Sequence, residues 1–197
     1  MAKKKQIGRR VEGWKAKSWY KVYTPDNIGK AYIGDTVANE PEKLIGRVMT
    51  TQLSDIANDY SKQHVKMKFS ITSVAGDAAY TDFIGHEVTR DYIRSLIKRR
   101  TSRIDATVSF VTQDGRKARL TVTCFTLSRA NDSQQHEIRR LLLDETLALG
   151  SSSDLNLLVN GIITGDISKE FFKKTKEIFP TRRVEIIKSK VELPKKE

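Results

Sequence analysis

The chain carries one cysteine, Cys124, in 197 residues, with only two tryptophans and four prolines, and far fewer acidic than basic residues. One thiol cannot build an internal disulfide framework and fits a reducing compartment. No window approaches the ~18 consecutive apolar residues of a membrane span. The opening Met-Ala-Lys-Lys-Lys-Gln is followed by no apolar segment that could serve as a signal peptide. A cytosolic location is expected. There is no glycine-rich phosphate loop ahead of a helix, no paired-cysteine zinc signature and no nucleophile elbow. His64, His86 and His136 are scattered over a strand start, a strand and a helix, and the acidic residues show no spacing that suggests a paired acid and base. Hence no catalytic residue, metal site, cofactor or small-molecule substrate is expected. A lone Gly46-Arg47 ahead of a strand is too weak a signal for a phosphate grip.

What the chain has is positive charge. Lys and Arg number 36 against 24 Asp and Glu, a formal net charge of +12. That balance favours a phosphate-rich partner or an anionic membrane surface, and does not separate RNA from DNA. The charge concentrates in Thr89 to Arg103, where a helix is expected. At about 100° per residue, Tyr92, Ile93, Leu96 and Ile97 share one arc, while Arg90, Arg94 and Lys98 form an i, i+4, i+8 row opposite them. Like charges at that spacing repel by a few tenths of a kcal/mol per pair, and only Asp91 is close enough in sequence to offset them. Arg99, Arg100 and Arg103 extend the cluster toward the next strand. A polyanion would supply the missing counter-charge; a solvated surface helix is the plainer alternative.

Hydrophobic residues make up 38% of the chain, enough to fill a core at this length, so disorder throughout is excluded and one domain is expected. Residues 1–17 read as a basic flexible arm carrying Lys3, Lys4, Lys5, Arg9, Arg10, Lys15 and Lys17, which either orders on RNA or merely frays. Trp14, Trp19 and Tyr20, set among lysines, suit stacking on unpaired bases or a place in the core, and core is expected for at least one tryptophan. A single α+β domain then spans 18–197, β-rich over 18–128, helix-rich over 129–180 and closed by a strand over 181–193. Strands are expected from Trp19 to Thr24, Ile28 to Asn39 and Ile45 to Thr51, the last running into a short helical turn at Gln52 to Ile56. Val65 to Val74 alternates with Val65, Met67, Phe69 and Ile71 on one side, turns at Gly76-Asp77, and returns as Tyr80 to Val88. A second hairpin has Ile104, Ala106, Val108 and Phe110 facing Ala118, Leu120, Val122 and Cys124 across a two-residue type I′ turn at Asp114-Gly115. That places Cys124 in the core. Asp132 and Gln135 suggest a capping pair for a helix closed by Gly150. Leu155 to Ile163 suggests a short buried helix, and Asp166 a cap for a third that stops before Pro180. In the final strand Val184, Ile186, Lys188 and Lys190 alternate against Arg183, Glu185, Ile187 and Ser189. The expected fold is α+β, an antiparallel sheet or barrel-like core flanked by helices.

Several stretches resemble one family: Gly46-Arg47-Val48 with Leu53-Ser54-Asp55-Ile56, then Arg99 to Ala106, then Phe125-Thr126-Leu127 with Gln135 to Arg139. Trp19-Tyr20, Asn27 to Lys30 and Phe179-Pro180 carry the likeness toward both ends. The family is that of the small-subunit ribosomal protein eS-one, formerly S-three-A-e, and the short C-terminal end resembles its archaeal members. The resemblance implies a non-catalytic protein that binds small-subunit rRNA on the platform, near the rRNA 3′ end and the mRNA exit path, with mRNA within reach. It implies neighbouring platform proteins as partners, among them the universal S-eleven protein, and a β-barrel-like core.

The RNA-binding residues expected first are Arg94, Lys98, Arg99, Arg100 and Arg103, with Arg90 in the same row. The N-terminal cations and Arg139-Arg140 come second and Arg182-Arg183 third. Two other classes compete. An RNA-processing enzyme would need a convergent His, Lys and Glu cluster in the fold. A peripheral membrane protein would need the apolar arc of the basic helix to be exposed, whereas that arc has a sheet to cover.

Overall fold

The structure, a computed structural model, describes residues 17–192. The expected arm, apart from Lys17, and the end of the last strand at Leu193 lie outside the described residues. The strands are β1 (Ser18–Tyr23), β2 (Tyr32–Ala38), β3 (Val48–Gln52), β4 (Val65–Ala75), β5 (Ala78–Val88), β6 (Arg103–Val111), β7 (Lys117–Thr126) and β8 (Thr181–Val191). The helices are α1 (Leu53–Ala57), α2 (Arg90–Leu96), α3 (Asp132–Ser152), α4 (Leu155–Thr164) and α5 (Asp166–Ile178). All eight strands form one sheet in the order β2-β1-β5-β8-β7-β6, with β4 on β5 and β3 on β4. β5 is its junction. β4 runs along one edge, while β1 at Lys21–Tyr23 and β8 at Lys188–Lys190 divide the other. Every pairing is antiparallel except β1 with β5, so the α+β class stands with one parallel contact added.

The second strand starts at Tyr32, later than expected, because a 3-10 turn over Asp26–Ile28 and a left-handed Gly29 occupy its first residues. β4 and β5 meet across Gly76-Asp77 as expected, with Gly76 at φ +59°. The second hairpin differs. The Thr112 amide donates to Arg116 O, and the Gly115 amide, at φ +72°, donates to Thr112 O. The loop is therefore three residues, Gln113 to Gly115, built as a turn followed by a left-handed glycine rather than a two-residue type I′ turn.

The main core lies between the β6-β7-β8 sheet and α3, α4 and α5. Ile104, Val108, Leu120, Val122, Cys124, Val184 and Ile186 meet Ile138, Leu142, Leu158 and Phe171. Cys124 is fully buried, and burial pushes its thiol up to about 12, so it is a core residue and no nucleophile. The cap of α3 is Asn131 with Gln134, one residue earlier than the expected pair. Gly150 does not close α3 but lies inside it. A Cβ there would come within 2.3 Å of the Phe110 ring, so glycine lets the helix approach β6. Asp166 likewise is the first residue of α5, behind Gly165, and pairs with Lys169 at 2.9 Å.

β8 breaks the expected alternation. A register shift opposite Thr121 and Val122 reverses its phase, so Ser189 and Val191 join Val184 and Ile186 inside, while Lys188 and Lys190 face water. Ile187, at the shift, packs on the opposite face with Val88, Leu96 and Phe125.

Candidate nucleic-acid interface

The inner face of the β6-β7-β8 sheet is spent on the core; its outer face is where the cations gather. Burial along β6 alternates strictly, which leaves Arg103, Asp105, Thr107, Ser109 and Val111 exposed. α2 lies on this face through Tyr92, Ile93 and Leu96, which pack on Val88, Phe125 and Ile187. Phe125 is the register partner of both Arg103 on β6 and Arg183 on β8. Two arginines therefore flank the footing of the basic helix.

α2 is shorter than expected. Ile97 is extended at φ −82°, ψ 121°, and its amide reaches back only to Arg94 O. Ile97 leaves the apolar arc and is 44% exposed. Lys98 leaves the helical row, which reduces to Arg90 and Arg94. The break has a local cause: the Thr101 hydroxyl donates to Lys98 O at 2.6 Å and accepts from the Lys98 amide at 3.3 Å, closing a turn in place of another helical one. Arg100, at φ +60°, carries that turn in the left-handed region. Ending the helix also separates like charges that would otherwise stack at i, i+4. Arg90, Arg94, Lys98, Arg99 and Arg100 are all exposed, and among the described residues none forms an ion pair.

The flanking arginines are fixed instead. Arg103 Nε pairs with Asp105 Oδ1 at 3.0 Å, and Arg139 Nε donates to Asp105 O at 3.3 Å, so Arg139 borders the same corner. Arg183 Nε pairs with Glu185 Oε1 at 2.5 Å, and its guanidinium lies 5.7 Å from the centre of the Tyr92 ring. Tyr92 stacks on His64 at 3.8 Å and donates to Glu185 at 3.4 Å. Burial, followed by the Glu185 charge, raises the Tyr92 pKa; burial lowers that of His64 and keeps its ring neutral.

Further along the outer face, cross-strand rows run Ser109–Arg119–Lys190 and Thr107–Thr121–Lys188. Arg119 Nε donates to Ser109 Oγ at 3.0 Å, and the Thr107 and Thr121 hydroxyls lie 3.2 Å apart. Cations and hydroxyls in register suit the phosphates and 2′-hydroxyls of an RNA helix.

Behind β8 lies a groove of about 710 Å³ between α4, α5 and the β5-β8 seam, rimmed by Lys62, Lys169, Lys173 and Arg182, with His64, His86 and Glu185 also in its wall. Its histidines have other commitments. His86 is 2% exposed; its Nε2–H donates to Ile186 O at 2.9 Å, so Nδ1 accepts from the Ser189 hydroxyl at 2.6 Å. Burial lowers its pKa to about 4. Glu185 is held by Arg183 and Tyr92. The groove therefore has no free base and acid facing one another, and among the described residues no three potential ligands could hold a metal ion.

The profile of the Ribosomal S3Ae family matches residues 4–194. The chain belongs to that family. It is 68% identical over 195 residues to the small ribosomal subunit protein eS1 of Methanospirillum hungatei, covering 99% of this chain and 98% of that one. It is 63% identical over 192 residues to the eS1 protein of Methanoregula boonei, at 98% and 96% coverage. The eS1 protein of Methanobrevibacter smithii is 42% identical over 191 residues, at 97% and 99% coverage. Ribosomal S3Ae proteins are structural proteins of the ribosome rather than enzymes.

Within this Ribosomal S3Ae chain the fold unites some of the expected cations and parts others. Arg90, Arg94, Lys98, Arg99, Arg100, Arg103 and Arg183 surround α2. Arg182, one residue from Arg183 on the same strand, lines the groove, whose wall Arg183 also reaches. Arg140 pairs loosely with Asp144 at 3.9 Å and is 86% exposed, while Lys3, Lys4, Lys5, Arg9, Arg10 and Lys15 lie outside the described residues. Gly46-Arg47 is no phosphate grip, since the guanidinium donates to Thr36 Oγ1 and Val37 O. Sequence reasoning missed Lys117, Arg119, Lys188 and Lys190. The first two were legible as the odd positions opposite Ala118 and Leu120; the last two were hidden by the phase reversal in β8.

Proposed function

We propose that this chain, as a constituent of the small ribosomal subunit in the cytoplasm, is a structural protein that binds small-subunit rRNA through the outer face of its β6-β7-β8 sheet and the basic end of α2. The observation that carries this is the run of exposed cations from Arg90 to Arg100 without an ion pair among the described residues, set between the two anchored arginines Arg103 and Arg183. Arg119, Lys188 and Lys190 extend the surface, and Arg139 borders it. Lys3, Lys4, Lys5, Arg9, Arg10, Lys15 and Lys17 add phosphate contacts from the N-terminal arm. Arg140 and Arg182 take more distant phosphates. Family membership supports a place on the platform near the mRNA exit path, with the universal S-eleven protein as a neighbour and mRNA close by.

The test replaces Arg94, Lys98, Arg99 and Arg103 with glutamine and measures affinity for a small-subunit rRNA fragment against salt. Each lost phosphate contact removes on the order of 0.7–0.9 from the slope of log K against log salt, so four remove about three. Thermal unfolding is expected to stay close to the parent, because Tyr92, Ile93 and Leu96 still pack. A folded variant with an unchanged slope would show that this surface is only solvated.

A further inference from the structure

Four aromatic side chains lie on the outward face of the β2-β1-β5 part of the sheet, three of them side by side and Trp19 further along β1. Along β1, Tyr20 and Val22 point into a small core with Leu44, Ile71 and Ala79, so Trp19, Lys21 and Tyr23 point outward. Tyr23 is the register partner of Tyr32 on β2 and of Tyr80 on β5. Directly opposed residues share a face, so three tyrosines lie side by side across three strands. The Tyr23 and Tyr32 rings meet edge to face at 6.2 Å. Trp19 is 64% exposed, Tyr32 52% and Tyr80 40%, so Trp19 is not the tryptophan expected in the core; Trp14, the other candidate, lies outside the described residues.

The surroundings of this row decide what it can hold. Lys21 and Asp35 are cross-strand partners, and the Tyr32 hydroxyl hydrogen-bonds the Asp35 carboxylate, which raises the tyrosine pKa. Asp82 follows two residues after Tyr80 on the same strand. Carboxylates among the rings repel phosphates but leave ring faces open, and they interrupt the apolar continuity that the core of a protein interface requires. Lys21 supplies a cation within the row, and the sequence over residues 1–16 carries six Lys or Arg against the single acid Glu12 before Lys17 and Trp19. A sheet bearing two or three stacking aromatics beside basic segments is a general way to hold single-stranded RNA.

We infer that Tyr32, Tyr23 and Tyr80, with Trp19, form a stacking platform for unpaired bases of small-subunit rRNA, distinct in chemistry from the phosphate-binding face around α2. The occupant is ribosomal rather than messenger RNA because a structural constituent needs a resident strand to cover exposed rings. This rests on the RNA-binding reading above but not on the α2 surface, so the two fail separately.

The test uses the full chain, an unpaired uridine dodecamer and an rRNA hairpin. Replacing Trp19, Tyr32 and Tyr80 together with alanine is expected to weaken dodecamer binding about tenfold or more per stacked base. Phenylalanine at the three positions stays within about threefold because stacking persists, and hairpin binding changes less than about twofold. Dodecamer binding unchanged in the alanine variant, or lost equally in the phenylalanine variant, overturns the platform. Ultraviolet cross-linking of intact subunits stripped of mRNA needs no variant. Adducts of Trp19, Tyr32 or Tyr80 with unpaired rRNA support the inference; adducts only after mRNA is added, adducts to a neighbouring protein, or none at all overturn it. Loss of hairpin binding in the glutamine variant with these adducts intact would affect only the α2 surface.

Discussion

The two faces of the β6-β7-β8 sheet are built by alternate residues of the same strands, yet they serve opposite ends. On the inner face Ile104, Leu120, Val122 and Val184 meet three helices, and apolar contact is satisfied within the chain. On the outer face Arg103, Arg119, Lys188 and Lys190 meet water, with α2 covering only the end around Phe125. The contrast teaches that stability and recognition are separable here: one parity of the sheet holds the fold and the other is free to carry a charge pattern that would be intolerable in a core.

The sharpest way to break the contrast is Phe171→Ala against the pair Arg119→Gln and Lys190→Gln. Phe171 is 1% exposed in the inner core, so its truncation is expected to cost about 3–5 kcal/mol, while the outer pair shifts stability by less than about 0.5 kcal/mol. Denaturant unfolding of both measures the gap, and equal losses would show that the faces are not independent.

A second probe is acid. The folded His86 pKa lies near 4 against an ordinary 6.5, so the unfolded chain binds this proton first as pH falls. Stability conferred by the neutral ring is complete above 6.5, drains away between 6.5 and 4, and is flat below. At about 1.36 kcal/mol per pKa unit the loss comes to roughly 3–4 kcal/mol, with His64 adding in the same direction. Unfolding free energies across that range, compared with His86→Gln, read the slope; equal slopes would refute the assignment.

The smallest effect sharpens the inner face. Gly150→Ala gains up to about 1 kcal/mol of helix propensity but drives a methyl into the Phe110 ring, and the net is expected to be a loss of about 1–2 kcal/mol. A gain in thermal stability would mean that α3 can retreat from β6 without penalty.

Much of this architecture was legible in the alternation of β4, β6 and β7, because a half-buried strand writes its two faces directly into the sequence. The basic character of Thr89 to Arg103 was equally plain. What escaped has physical causes. The helix was read too long since helical periodicity in Tyr92, Ile93, Leu96 and Ile97 is silent about a threonine hydroxyl that closes the next turn. The phase of β8 was misread because a one-residue register shift leaves no mark in composition. The aromatic row was invisible because Tyr80 joins Tyr23 and Tyr32 only through a parallel pairing of β1 with β5, which no local pattern announces.

One feature of the sheet bears on how the protein is made. Among the described residues β6 and β7 reach the rest of the sheet solely through β8, and the contacts between β5 and β8 span about a hundred residues, as between His86 and Ser189. During synthesis the strands up to β5 and the β6-β7 hairpin can each form as they emerge, but they remain separate pieces with open edges until β8 is made. A chain cut before Thr181 leaves β5 and β7 with unpaired edges and lacks the Val184 and Ile186 share of the core, which exposes it to aggregation.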